Sequence, residues 1–132
     1  MAIEMEKSIL IVVDDEADLV NLFSEALTSH GYSVIGFTDP IAALSYVKQE
    51  PFKYNLLITD YRMSKLNGCE LGLKLKELNK NIKVILISAY ENIEDNKLLN
   101  FKLYHKPIPV KKLIAIVDDQ LKMNEGMNES NL

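Results

Sequence analysis

The segment Ile9-Leu-Ile-Val-Val-Asp-Asp-Glu16 sets five apolar residues directly against three acids. Ile and Val favour extended backbone, and a short apolar run without polar alternation fits a strand buried on both faces. Such strands belong to parallel sheets covered by helices on both sides, where ligands bind outside the carboxyl ends of the strands. The acids that follow Val13 therefore stand where a site is expected, provided the rest of the chain supplies the sheet.

It does so by alternation. Further extended runs fall at Ser33 to Gly36, Leu56 to Thr59 and Val84 to Ile87, with a weaker fifth around Leu103 and Tyr104. Helix-period stripes lie between them. Leu19, Leu22, Phe23, Ala26 and Leu27 form the clearest, and Gly31 stands where that helix would stop. A second helix starts at Asp39-Pro40, with Asp as N-cap and Pro at the first helical position, and buries Ala43, Leu44 and Val47. A third follows Gly68 with Leu71, Leu75 and Leu78, and the last follows Pro109 with Val110, Leu113, Ile114 and Val117. Glu91 to Phe101 carries only a poor stripe, so the helix there is expected to be short or irregular. The alternation predicts an α/β fold, a doubly wound parallel sheet with helices on both faces.

The bulk properties agree. At 132 residues, 48% hydrophobic and 26% charged, the chain fits one globular domain, and a second, separately folded output domain is not expected. The boundaries read as an N-terminal arm over 1–7, a folded domain over 8–122 and a polar tail over 123–132 that frays into disorder. A net charge of -4 provides no positive field for nucleic acid or anionic lipid. The apolar runs are too short to cross a bilayer, and residues 1–7 lack a signal peptide's pattern, so the expected location is cytoplasmic. The single cysteine, Cys69, reads as a small buried apolar residue.

Polar residues at the strand ends form a coherent set. Asp14, Asp15 and Glu16 end the first run, Thr59 and Asp60 the third, Ser88 the fourth, and Lys106 follows the fifth. Taken singly, each is most simply a cap or turn residue. Together they place several mutually repelling carboxylates around one spot, which a hard divalent cation with oxygen ligands would relieve, and Mg²⁺ is the cation implied. An aspartate beside such a cation can attack a phosphoryl donor, while a lysine ammonium and a hydroxyl offset charge on the equatorial oxygens. Asp60, Lys106 and Ser88 supply those groups.

Four stretches, Ile9-Leu-Ile-Val-Val-Asp-Asp-Glu16, Leu57-Ile-Thr-Asp-Tyr-Arg-Met63 with Asn67-Gly68, Ile85-Leu-Ile-Ser-Ala89 and Lys106-Pro107, resemble in order the signature motifs of response-regulator receiver domains. The resemblance covers about residues 8 to 122 and implies a flavodoxin-like, five-stranded sheet in order 2-1-3-4-5. Carried over by position, it makes Asp60 the phosphoacceptor and Asp15 a direct metal ligand. Asp14 becomes the second acid, often acting through water, and the carbonyl of Arg62 the third protein ligand. Ser88 matches the switch hydroxyl and Lys106 the phosphate-pairing lysine, whose bond to Pro107 is typically cis in the family. The activity implied is transfer of a phosphoryl group from a sensor histidine kinase or phosphotransfer protein to Asp60, followed by slow self-catalysed hydrolysis. That is not conventional enzyme turnover. The phosphorylated form would act on a separate downstream protein or as a phosphorelay intermediate, and a homodimer is left open.

The chain departs from the family in places. Ser64 stands where proline is usual, and the interval from Ser88 to Lys106 is several residues short, which implies a shortened fourth helix. Leu103 occupies a position usually held by Tyr or Phe, and the adjacent Tyr104 should face the other side of the sheet. His30 reads as a solvated helix-end residue, His105 as a strand-end side chain, and Tyr61 and Tyr90 as rim residues. The alternative function is a pseudo-receiver, an interaction module that never carries phosphate. A metal-dependent phosphatase is disfavoured because Asp-x-Asp is absent from the first run, and a nucleotide-binding module because no glycine-rich loop follows it.

Overall fold

The computed structural model describes residues 8–89 and 101–130, with side chains to residue 122. Five strands, β1 (Ile9–Val13), β2 (Ser33–Phe37), β3 (Leu56–Asp60), β4 (Lys83–Ser88) and β5 (Lys102–His105), form one sheet in the order β2-β1-β3-β4-β5. Every pairing is parallel. The helices are α1 (Ala17–Ser29), α2 (Pro40–Gln49), α3 (Gly68–Leu78) and α4 (Val110–Ser130), with a 3-10 turn at Pro51–Lys53. The expected doubly wound sheet is therefore present in the expected order. The shortened or irregular helix expected between Ser88 and Lys106 lies outside the described residues, as does Tyr90.

Alternation along the strands divides the core in two. Leu10 and Val12 of β1 and Ile58 of β3 pack with Val20, Phe23 and Leu27 of α1 and Leu113 and Val117 of α4. Ile11, Val13 and Leu57 pack on the other face with Ala43 and Val47 of α2 and Leu71 and Leu75 of α3. On β5 the same rule separates neighbours, since Leu103 joins the second cluster and Tyr104 the first. The two side chains stand on opposite faces of the sheet, so Tyr104 does not occupy the place of the missing ring.

Local signals explain the helix ends. Asp39 caps α2 by accepting the Ile41 N–H at 2.9 Å, with Pro40 in the first turn. Gly31, at φ +107, turns the chain after α1, a conformation open to glycine at little cost. α4 continues through residues 123–130, where the polar sequence predicts a frayed tail. A helix already nucleated and packed gains one backbone hydrogen bond per added residue, and Met and Glu are good helix formers. His30 is not simply solvated. Its Nε2 lies 3.0 Å from Asp118 Oδ2, and the Tyr32 hydroxyl donates to the same carboxylate, joining α1 and β2 to α4.

Candidate functional site

The site is built at the carboxyl ends of β1, β3, β4 and β5. Asp60 is the last residue of β3 and Ser88 the last of β4, so each side chain leaves a rigid element at the sheet's edge. Lys106 follows β5 directly, and its backbone N–H donates to the Ser88 carbonyl at 2.8 Å. That bond levels the lysine with the hydroxyl residue. Asp14 follows β1, where its N–H donates to the Phe37 carbonyl at 3.2 Å and its own Oδ1 accepts the Glu16 N–H at 2.9 Å.

Four sequence-predicted residues converge in this space. The carboxylates of Asp14, Asp15 and Asp60 each offer an oxygen, and these atoms lie within 4.8 Å of one another. Asp14 is 3% and Asp60 9% exposed, whereas Asp15 is exposed to solvent. Lys106 Nζ bridges two of them, 2.9 Å from Asp14 Oδ2 and 3.4 Å from Asp60 Oδ1. Ser88 is fully buried at the adjoining strand end, and Arg62 is exposed in the loop after β3. The Lys106–Pro107 peptide is cis.

The electrostatics follow from this crowding. Burial, then the Asp14 charge, pushes the Asp60 carboxyl up to about 6, with Lys106 opposing and Asp15 adding to the rise. Burial alone would lower the Lys106 ammonium, but the hydrogen bond it donates to Asp14 and the charges of Asp14 and Asp60 outweigh it and hold the amine above its ordinary value. The lysine therefore stays charged at neutral pH. An oxygen-only cluster of three carboxylates, one of them driven toward protonation, suits a hard divalent cation.

The loop from Tyr61 to Asn67 is pinned at both ends. Tyr61 donates its N–H to the Ile87 carbonyl at 2.8 Å and accepts the Gly68 N–H at 2.7 Å. Asn67 and Glu70 form a reciprocal capping box at the start of α3. The Asn67-x-x-Glu70 spacing is the signal in the sequence that announces this box. Gly68 is required by closeness, because a Cβ there would lie 2.2 Å from the Asp60 carbonyl oxygen. Gly68→Ala is expected to destabilise the fold by about 1–3 kcal/mol, since backbone has to move to relieve the overlap. Urea unfolding measures this, and a variant as stable as wild type would mean that α3 does not press on Asp60.

A family model described as the response regulator receiver domain matches residues 10–118. The chain belongs to that family. This receiver domain is 29% identical over 119 residues to the transcriptional regulatory protein GlrR of Escherichia coli (strain K12), covering 87% of this chain. It spans only 26% of that relative's length. It is 26% identical over 121 residues to the sporulation initiation phosphotransferase F of Bacillus subtilis, covering 89% of this chain and 96% of the relative. Among solved structures, a CheY-like receiver domain protein from Methanospirillum hungatei JF-1 superposes with a TM-score of 0.85 over 92% of this chain and 99% of its own, at 22% identity, a likeness of fold. Receiver domains are the phosphorylation-responsive parts of two-component systems, so the chain is placed in phosphorylation-dependent signalling. Among the described residues no helix is long and apolar enough to cross a membrane.

Proposed function

We propose that this receiver domain accepts a phosphoryl group on Asp60 from a sensor histidine kinase or phosphotransfer protein, with Mg²⁺ held by Asp14, Asp15, Asp60 and the Arg62 carbonyl. The observation that carries the reading is the position of Lys106 Nζ, 3.4 Å from Asp60 Oδ1, beside three carboxylates that converge within 4.8 Å. When bound, Mg²⁺ would offset charge on the phosphoryl oxygens and on the acids themselves.

The protein's own groups account for the rest. An Asp60 carboxylate oxygen attacks phosphorus, the bond to the donor's leaving atom breaks, and the electron pair departs with that atom. Lys106 already lies within ion-pair range of the nucleophile and can turn to an equatorial oxygen. Ser88, locked to Lys106 through the backbone, offers its hydroxyl to another. The resulting acyl phosphate is an activated anhydride, so water can remove it. The signal then passes to a separate partner protein or a relay. With Leu103 and Tyr104 on opposite faces, we expect the response near Ser88 to be repacking of Leu103 without rotation of an aromatic ring.

The metal part is tested by titrating Mg²⁺ into wild type and Asp15→Asn while following amide chemical shifts. Removing one of three carboxylates is expected to weaken binding about tenfold or more, as loss of a charged oxygen ligand does at such sites. Equal affinity in the two proteins would remove Asp15 from the site. A wild type that binds Mg²⁺ yet takes no phosphoryl group from acetyl phosphate would favour the pseudo-receiver reading.

A further inference from the structure

The loop after Asp60 holds its shape at an unusual residue. Lys65 has φ +75, and the Leu66 N–H donates to the Ser64 carbonyl at 2.9 Å, so Lys65 is the centre of a γ-turn in the left-handed half of backbone space. This conformation is open to glycine but crowds the β-carbon of any other residue, and it persists where surrounding contacts impose it. The loop's two ends are fixed by backbone bonds at Tyr61 and by the Asn67–Glu70 box. Its apex reaches across to another element, where Lys65 Nζ lies 3.1 Å from Asp39 Oδ2. The other oxygen of Asp39 is occupied by the Ile41 N–H at the start of α2. The carboxylate is thus aimed by its helix before the lysine meets it.

We propose that the Lys65–Asp39 pair is a strap that holds this loop in its metal-binding shape, with Lys65 a positioning residue for the Arg62 carbonyl three residues earlier. The inference rests on the Mg²⁺ reading above and adds to it a role for α2, which contributes no ligand. Asp39 stays ionised to fill that role, because the Ile41 N–H and then Lys65 hold its carboxyl below the usual value. Both side chains are substantially exposed, so the expected effect is modest and specific to the metal.

The test is Mg²⁺ titration of wild type, Lys65→Met, Asp39→Asn and the double variant, followed by amide shifts. Asparagine keeps the N-cap of α2 while losing the charge, so Asp39→Asn separates strap from helix. Each single variant is expected to bind Mg²⁺ about three- to five-fold more weakly, the scale of an exposed ion pair. The double variant should lose no more than either single one, and Lys65→Arg should restore the affinity. Phosphorylation by acetyl phosphate at saturating Mg²⁺ should proceed at the wild-type rate in all of them, with only the half-saturating Mg²⁺ concentration moved. Unchanged affinity in Lys65→Met, or additive losses in the double variant, would overturn the strap while leaving the metal site standing. Absence of Mg²⁺ binding by wild type would overturn the metal reading and the strap with it.

Discussion

Asp60→Asn is expected to lose phosphoryl acceptance altogether and, without metal, to be more stable than wild type at neutral and alkaline pH. The first effect follows because an amide is not a competent nucleophile, and the other carboxylate beside Lys106, Asp14, is already engaged by the lysine at 2.9 Å and by the Glu16 N–H. The second follows from linkage. The Asp60 carboxyl rises from 3.8 to about 6 on folding, chiefly through burial and then through Asp14. Between those values the folded chain holds a proton that the unfolded chain has released, so stability falls as pH rises through this window and stays lowered above it. The full gap corresponds to about 3 kcal/mol. Asparagine carries no such penalty, so the variant's advantage should be complete by about pH 8 and vanish toward about pH 4. Chemical unfolding in EDTA at several pH values measures it. Saturating Mg²⁺ should then raise the stability of wild type far more than that of the variant. A variant no more stable than wild type at about pH 8 would mean that burial and the Asp14 charge do not penalise the ionised Asp60 carboxylate in the folded chain.

Lys106→Met should cut the rate of phosphorylation by acetyl phosphate about a hundredfold or more at saturating Mg²⁺, the scale for removing one preorganised donor from developing charge. Methionine keeps an unbranched stem in the same space, so packing against the neighbouring strand end is retained. The ammonium stands 2.9 Å from Asp14 and 3.4 Å from Asp60 and stays charged because their pull outweighs the effect of burial. Without it, Asp14 and Asp60 face each other unscreened, and Asp60 should hold its proton to still higher pH in metal-free buffer. Mg²⁺ affinity should not fall, since no oxygen ligand is removed. A variant that phosphorylates at the wild-type rate would take Lys106 out of the transfer step, and one that loses Mg²⁺ binding would make the lysine a support of the metal site.

Much of the fold was legible because its signals are local. Continuous Ile, Leu and Val in β1, β3 and β4 mark central strands, and Asp39-Pro40 and Gly31 punctuate the helices at the positions observed. The site was legible for a related reason. In a parallel sheet every strand's carboxyl end lies on one side, so Asp14, Asp60, Ser88 and Lys106 had to meet once the strands were identified. What escaped depends on distant partners or on departures from local preference. A lysine carries no sequence signal for φ +75, and Asp39 lies 26 residues from Lys65. His30 and Tyr32 find Asp118 across 88 and 86 residues, an association that helix packing alone brings about. The continuation of α4 past Lys122 escaped because residues 123–130 are polar and include Gly126, features that in isolation favour fraying.

The central claim is that Asp60 takes up the phosphoryl group, and it is tested most directly by locating the bond. Wild-type protein is incubated with acetyl phosphate and Mg²⁺, reduced with borohydride to convert an acyl phosphate of aspartate into homoserine, digested, and sequenced by mass spectrometry. The account predicts homoserine at position 60 alone, formed only when Mg²⁺ is present and absent without the phosphodonor. Homoserine at position 14 or 15, or none at any position in Mg²⁺-loaded protein, would contradict it.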